Sequence, residues 1–78
     1  QHNLVGSRIR QARLAERPKA TLSDLSARLE ILGVSLSVSE ISRIETSERA
    51  VTDIQLMAFA KALKVPVTWL LGLDEKEL

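Results

Sequence analysis

Apolar side chains recur along this chain at spacings of three and four, the period of a helix that turns one face inward. Val5, Ile9 and Ala12 start the pattern, with Asn3 placed to cap it, and predict a first helix over residues 4–16. Arg17-Pro18 ends it, because the residue before a proline is disfavoured in the helical region. Thr21 with Asp24 three residues later makes a capping-box start, and Leu22, Leu25, Leu29 and Leu32 carry the period to Gly33, giving a second helix over residues 22–32. Ser37 with Glu40 repeats the capping signature, so a third helix begins at Val38. Its Ile41 and Ile44 face inward, expected against Leu25, Leu29, Leu56 and Phe59, and leave Ser39, Ser42, Arg43 and Thr46 on the other surface. Thr52 with Gln55 opens a fourth helix with the stripe Leu56, Phe59, Ala60 and Leu63. Val65-Pro66 interrupts, and residues 67–71 form a last short helix closed by Gly72.

The pattern therefore predicts an all-α fold of five short helices, with no strand signal and no internal repeat. Seventy-eight residues, 45% hydrophobic and 27% charged, suit one domain with a single modest core. That domain is expected over residues 3–72, leaving residues 1–2 and 73–78 as flexible termini. No apolar run approaches the roughly 20 residues that span a bilayer, and no signal-peptide segment stands at the start. A cytoplasmic protein without a membrane partner is the expectation.

Candidate chemistry is sparse, and its sparseness excludes more than it suggests. The chain has no cysteine and a single histidine, His2, which lacks the spaced partners of a metal site. No nucleophile and base, no phosphate-binding loop and no carboxylate cluster outside the polar tail from Asp74 supports an enzyme. No cofactor and no small-molecule ligand is expected. Net charge is only +1, but its distribution is uneven. Residues 1–20 hold Arg8, Arg10, Arg13, Arg17 and Lys19 against Glu16, whereas Asp74, Glu75 and Glu77 outweigh Lys76 in the tail. A basic end suits an anionic partner such as a phosphate backbone, and equally describes a solvated arginine-rich face.

Two short helices joined by a glycine-containing turn, the second presenting small polar side chains, form the arrangement by which a helix-turn-helix offers a recognition helix to the major groove. The segments "IRQAR" at 9–13, "TLSDLSARL" at 21–29, "GVSLSVSEISRIE" at 33–45 and "RAVTDIQLMAFAKALKVPVTWLLG" at 49–72 together resemble the Cro and lambda-repressor-like family of bacterial and phage regulators. The resemblance implies a five-helix domain that binds double-stranded DNA as a homodimer. It also implies an internal ion pair between Arg13 and Glu45, and a phosphate-backbone position at Arg49. Thr21, Ser37, Val38, Ser39, Ser42, Arg43, Arg49 and Thr52 are the candidate DNA-binding residues. Val67, Trp69 and Leu70, in the apolar run on the last helix, are the candidate dimer contacts, with Trp69 expected to pack rather than to stack on bases.

Departures from the family pattern bear on readout. About five extra residues separate Leu29 from Ile41, in a longer second helix or a longer turn. Leu22 and Val38 stand where glutamine or arginine is common, and Ser47 replaces a glycine. Of the side chains that read bases by paired hydrogen bonds, the third helix offers Arg43 alone. Two functions remain open: a DNA-binding transcriptional regulator, with repression expected, and a protein-interaction or antitoxin-like module on the same scaffold.

Overall fold

A computed structural model describes residues 4–73. Its elements are α1 (Leu4–Ala15), α2 (Leu22–Ile31), α3 (Val38–Glu45), α4 (Asp53–Leu63) and α5 (Val67–Leu70), and no strand occurs among the described residues. Asn3 as a cap, His2 and the acidic tail from Asp74 lie outside them.

Three helix starts follow one local rule. The hydroxyl oxygens of Thr21, Ser37 and Thr52 accept the amides of Asp24, Glu40 and Gln55 at 2.9, 3.1 and 3.1 Å. The side chains of those three residues accept the cap amides in return, at 2.9, 2.9 and 3.1 Å. Each box satisfies two donors that a helix start would otherwise leave to water. Helix ends follow a second rule, in which a left-handed residue turns the chain and the next amide reaches back five residues. Gly33, Ser47, Lys64 and Gly72 hold the positive φ, and the amides of Val34, Glu48, Val65 and Leu73 bond to Leu29, Arg43, Ala60 and Thr68.

The core gathers Val5 and Ile9 from α1, Leu25 and Leu29 from α2, Ile41 and Ile44 from α3, Phe59 and Leu63 from α4, and Leu70 from α5. Leu56 packs against it from the side. Helix α1 crosses α3, α4 and α5, while α2 lies on α3 and α4. At the α1–α3 crossing Gly6 is buried, and a Cβ there would collide with the carbonyl oxygen of Ile44. The two backbones touch where only glycine fits.

One expectation changes, and one alternative is decided. Leu32 is 42% exposed and sits outside the core, and its inward place is taken by Leu36 from the turn. Helix α2 ends at Ile31, so the extra length before α3 falls in the turn at residues 32–37. Leu36 anchors that turn by its buried side chain and by its carbonyl, which accepts the Ser26 hydroxyl at 2.6 Å.

Candidate nucleic-acid interface

Helix α3 is divided cleanly by its periodicity. Ile41 and Ile44 have no exposed surface, whereas Val38 is 42% exposed, Ser39 and Arg43 are exposed, and Ser42 is half-buried. The box at its start uses the Ser37 hydroxyl as an acceptor and leaves the proton available to donate; the same holds for Thr21 and Thr52. Each of these three side chains can therefore stabilise its helix and still give a hydrogen bond to a phosphate oxygen at a helix N-terminus.

Glu45 is turned inward. The Arg13 guanidinium donates from Nε and Nη2 to both of its carboxylate oxygens, at 2.8 and 2.9 Å, and from Nη1 to the carbonyl of Ala20 at 2.9 Å. Arg13 and Glu45 are both buried, so the pair joins α1, α3 and the connection before α2 in a low-dielectric setting. The hydrogen bond to Glu45 raises the Arg13 pKa further above its already high ordinary value, against the opposing effect of burial. The two charges thereby cancel inside the domain, at the two positions where the resemblance implied an internal ion pair.

Arg49 is brought to α3 by a contact that no periodicity foretold. Its Nη1 donates to Glu40 Oε2 at 2.8 Å, while Glu40 Oε1 accepts the Ser37 amide at 2.9 Å. One carboxylate thus closes the cap of α3 and holds the loop that follows it. The Ser37 amide first, and Arg49 second, keep the Glu40 carboxyl below the ordinary carboxylate range. No described hydrogen bond joins Thr21 or Thr52 to α3; they stand at the N-termini of α2 and α4.

The basic face foreseen on α1 is smaller than the sequence implied. Arg13 is internal, and Arg8 lies over the Trp69 ring at 4.8 Å with Nη1 donating to the Trp69 carbonyl at 2.8 Å. Glu16 pairs with Arg28, which also reaches the Ala62 carbonyl at 3.2 Å and so ties α1 to α2 and α4. Arg10, Arg17 and Lys19 remain on the exposed side.

The apolar end of the chain also differs from its expected role. Leu70 has no exposed surface and belongs to the core of its own domain, which removes it from any dimer contact. Trp69 and Val67 are half-buried and pack against that core. Of the three expected contacts only Leu70 is fully withdrawn; Val67 and Trp69 keep part of their surface, and Leu71 beside them is 43% exposed.

No group of three or more His, Cys, Asp or Glu side chains among the described residues could hold a metal ion, and no helix among them is long and apolar enough to cross a membrane.

A helix closed by Gly33, an ordered turn and a short capped helix with a polar outward face make the unit formed by α2 and α3 a helix-turn-helix. The helix-turn-helix family model matches residues 9–70, and the chain belongs to that family of DNA-binding transcription regulators, of the Cro/C1 type. No curated protein and no solved structure matches the chain.

Proposed function

We propose that this domain binds double-stranded DNA as a homodimer and represses transcription, with α3 in the major groove. The observation that carries the reading is the outward surface of α3. Val38, Ser39, Ser42 and Arg43 form a small-residue ridge with one guanidinium, on a helix whose amides and cap face the same end. Arg43 has no hydrogen-bond partner among the described side chains, and its fork matches the O6 and N7 acceptors of guanine. Val38 suits a thymine methyl group, and Ser39 and Ser42 bond to base or phosphate. Arg49, the Ser37 and Thr52 hydroxyls and the exposed Thr21 supply backbone contacts that set register without reading sequence.

Titration of duplex DNA across a salt series tests this. Binding should weaken steeply with salt as phosphate counterions are released. Arg43→Ala should lose about 1–3 kcal/mol on the preferred duplex and relax one base position, while Arg49→Ala should weaken all duplexes alike and flatten the salt slope by about one. An absence of salt-dependent binding would instead favour the protein-interaction reading, for which the Glu40 and Glu48 carboxylates beside α3 are the supporting feature.

A further inference from the structure

Helix α4 is apolar on two sides. Its inner side supplies Ala58, Phe59, Ala60, Ala62 and Leu63 to the core, yet Ile54 is 69% exposed and Met57 55% exposed on the other. A helix that is hydrophobic nearly all round is normally covered nearly all round. Beside these two residues the turn after α2 contributes Leu32 and Val34, and together with Ala58 and Lys61 they line an open groove of about 200 Å³. We infer that this face of α4 is the surface on which a second copy of the chain docks, with the two α4 helices antiparallel and Met57 against Met57 at the two-fold axis.

The charges choose the occupant. Asp53 and Lys61 are both exposed, lie on the Met57 side of α4 at i−4 and i+4, and carry opposite signs. A two-fold axis through Met57 runs the partner helix backwards, so each Asp53 meets the partner's Lys61 about 12 Å of helix from its own. An isologous interface requires this self-complementarity, and a parallel pairing would set like against like. Ile54 then projects toward the partner's groove between Leu32, Val34 and Ala58. The exposed apolar side chains present on the order of 400 Å² per copy, the size of the largest patch on a typical monomer, which is often a functional one. Doubled and given a polar rim, that reaches the lower bound of about 1,200 Å² for a specific interface, so the dimer should dissociate on dilution. The inference specifies the contact for the dimer proposed above, while leaving Ser39, Ser42 and Arg43 on another helix uncovered.

Sedimentation equilibrium over a concentration series is the test, with thermal melting of each variant as the folding control. Wild-type chain should show a monomer–dimer equilibrium, and Met57→Glu should raise its dissociation constant at least tenfold with an intact melt. Asp53→Lys and Lys61→Asp should each weaken the dimer several-fold, and the double swap should recover most of the loss. A wild-type chain that stays monomeric at every concentration overturns the inference and leaves the face to a different protein. So does a dimer indifferent to Met57→Glu, or a double swap whose losses simply add. DNA binding is read separately: salt-dependent binding by monomeric Met57→Glu would keep the DNA reading whichever way the dimer falls, and a normal dimer with no DNA affinity would defeat that reading alone.

Discussion

Removing either partner of the Arg13–Glu45 pair should cost far more than removing both. Arg13→Met deletes the donors to both oxygens of a carboxylate whose side chain is 4% exposed, and also the donor to the Ala20 carbonyl. A buried charge left without its partner costs about 3–5 kcal/mol. Glu45→Leu leaves the guanidinium at 10% exposure with only the Ala20 carbonyl in reach, and falls in the same range. In the double variant no charge is stranded, and apolar side chains of similar volume fill the site at little net cost. What remains is the Ala20 carbonyl, buried and without its donor, at about 1–3 kcal/mol. The double variant should therefore be more stable than either single one, a non-additivity of the kind that neighbouring residues show. A domain of this size holds roughly 4–12 kcal/mol in all, so each single variant should lose a large share of its stability. Urea titration followed by helical circular dichroism measures all four proteins. Single variants that each lose under about 1 kcal/mol, or losses that add in the double, would refute the account of a buried bidentate pair.

Gly6→Ala places a methyl against the Ile44 carbonyl oxygen and should destabilise by about 1–3 kcal/mol, despite alanine's better helix propensity; a rise in melting temperature would show that α1 and α3 do not touch there. Lys64→Gly relieves a left-handed residue at φ 59° and should raise the melting temperature by a few degrees, worth about 0.5–1 kcal/mol in thermal unfolding. Glu16, Asp24 and Glu40 are held below the ordinary carboxylate range, by Arg28, by the Thr21 amide and by the Ser37 amide with Arg49. The unfolded chain takes up these protons first, so their stabilisation is complete above that range and is lost as the pH falls through the depressed folded-state values; urea midpoints should drop on acidification, and a flat profile there would contradict it. Glu40→Gln keeps the capping box but removes a negative charge from the α3 face, so it should tighten binding to every duplex while the Arg49 phosphate contact stays; weaker binding would mean that the Glu40 carboxylate is needed to position Arg49 for that contact.

How much of this was legible in the sequence depended on the range of the interaction. Caps at Thr21, Ser37 and Thr52 are contacts over three residues between side chains that have little other use in that order, and all three formed as the spacing implied. The isoleucines of α3 were legible for the same reason, since a period of 3.6 sorts inner from outer positions. Leu32 and Leu36 were not separable this way, because both precede α3 in a turn where periodicity has ended, and only the path of the chain after Gly33 decides which one reaches the core. Leu70 was misassigned because an apolar residue near a terminus reads alike whether it covers its own domain or a neighbour. The Glu40–Arg49, Glu16–Arg28 and Arg8–Trp69 contacts span turns or whole helices and leave no mark in any periodic pattern. Gly6 gave a weak signal, a glycine inside a helical stretch, that close helix crossing explains.

Much of the polarity of α3 serves its own structure. Ser37 and Glu40 close its start, Glu45 neutralises Arg13 inside the domain, and the Thr46 hydroxyl donates to the carbonyls of Ser42 and Arg43. Under the proposed mode one bidentate arginine–guanine pair per copy supplies about 1–3 kcal/mol of discrimination, and two copies about twice that. Specific complexes are typically separated from non-specific ones by about 4–10 kcal/mol. The arginines alone therefore reach only the lower part of that range. The balance has to come from terms that two copies create together: the fixed spacing of half-sites, which a single domain cannot impose, and the deformability of the DNA between them. A docking face on α4 is then part of how this domain would choose its sequence, because abolishing the dimer would remove both terms at once while leaving each phosphate contact in place. Monomeric Met57→Glu should accordingly bind unrelated duplexes with about half the dimer's salt slope and lose most of its preference among them. Retention of the full preference by the monomer would place specificity in α3 alone.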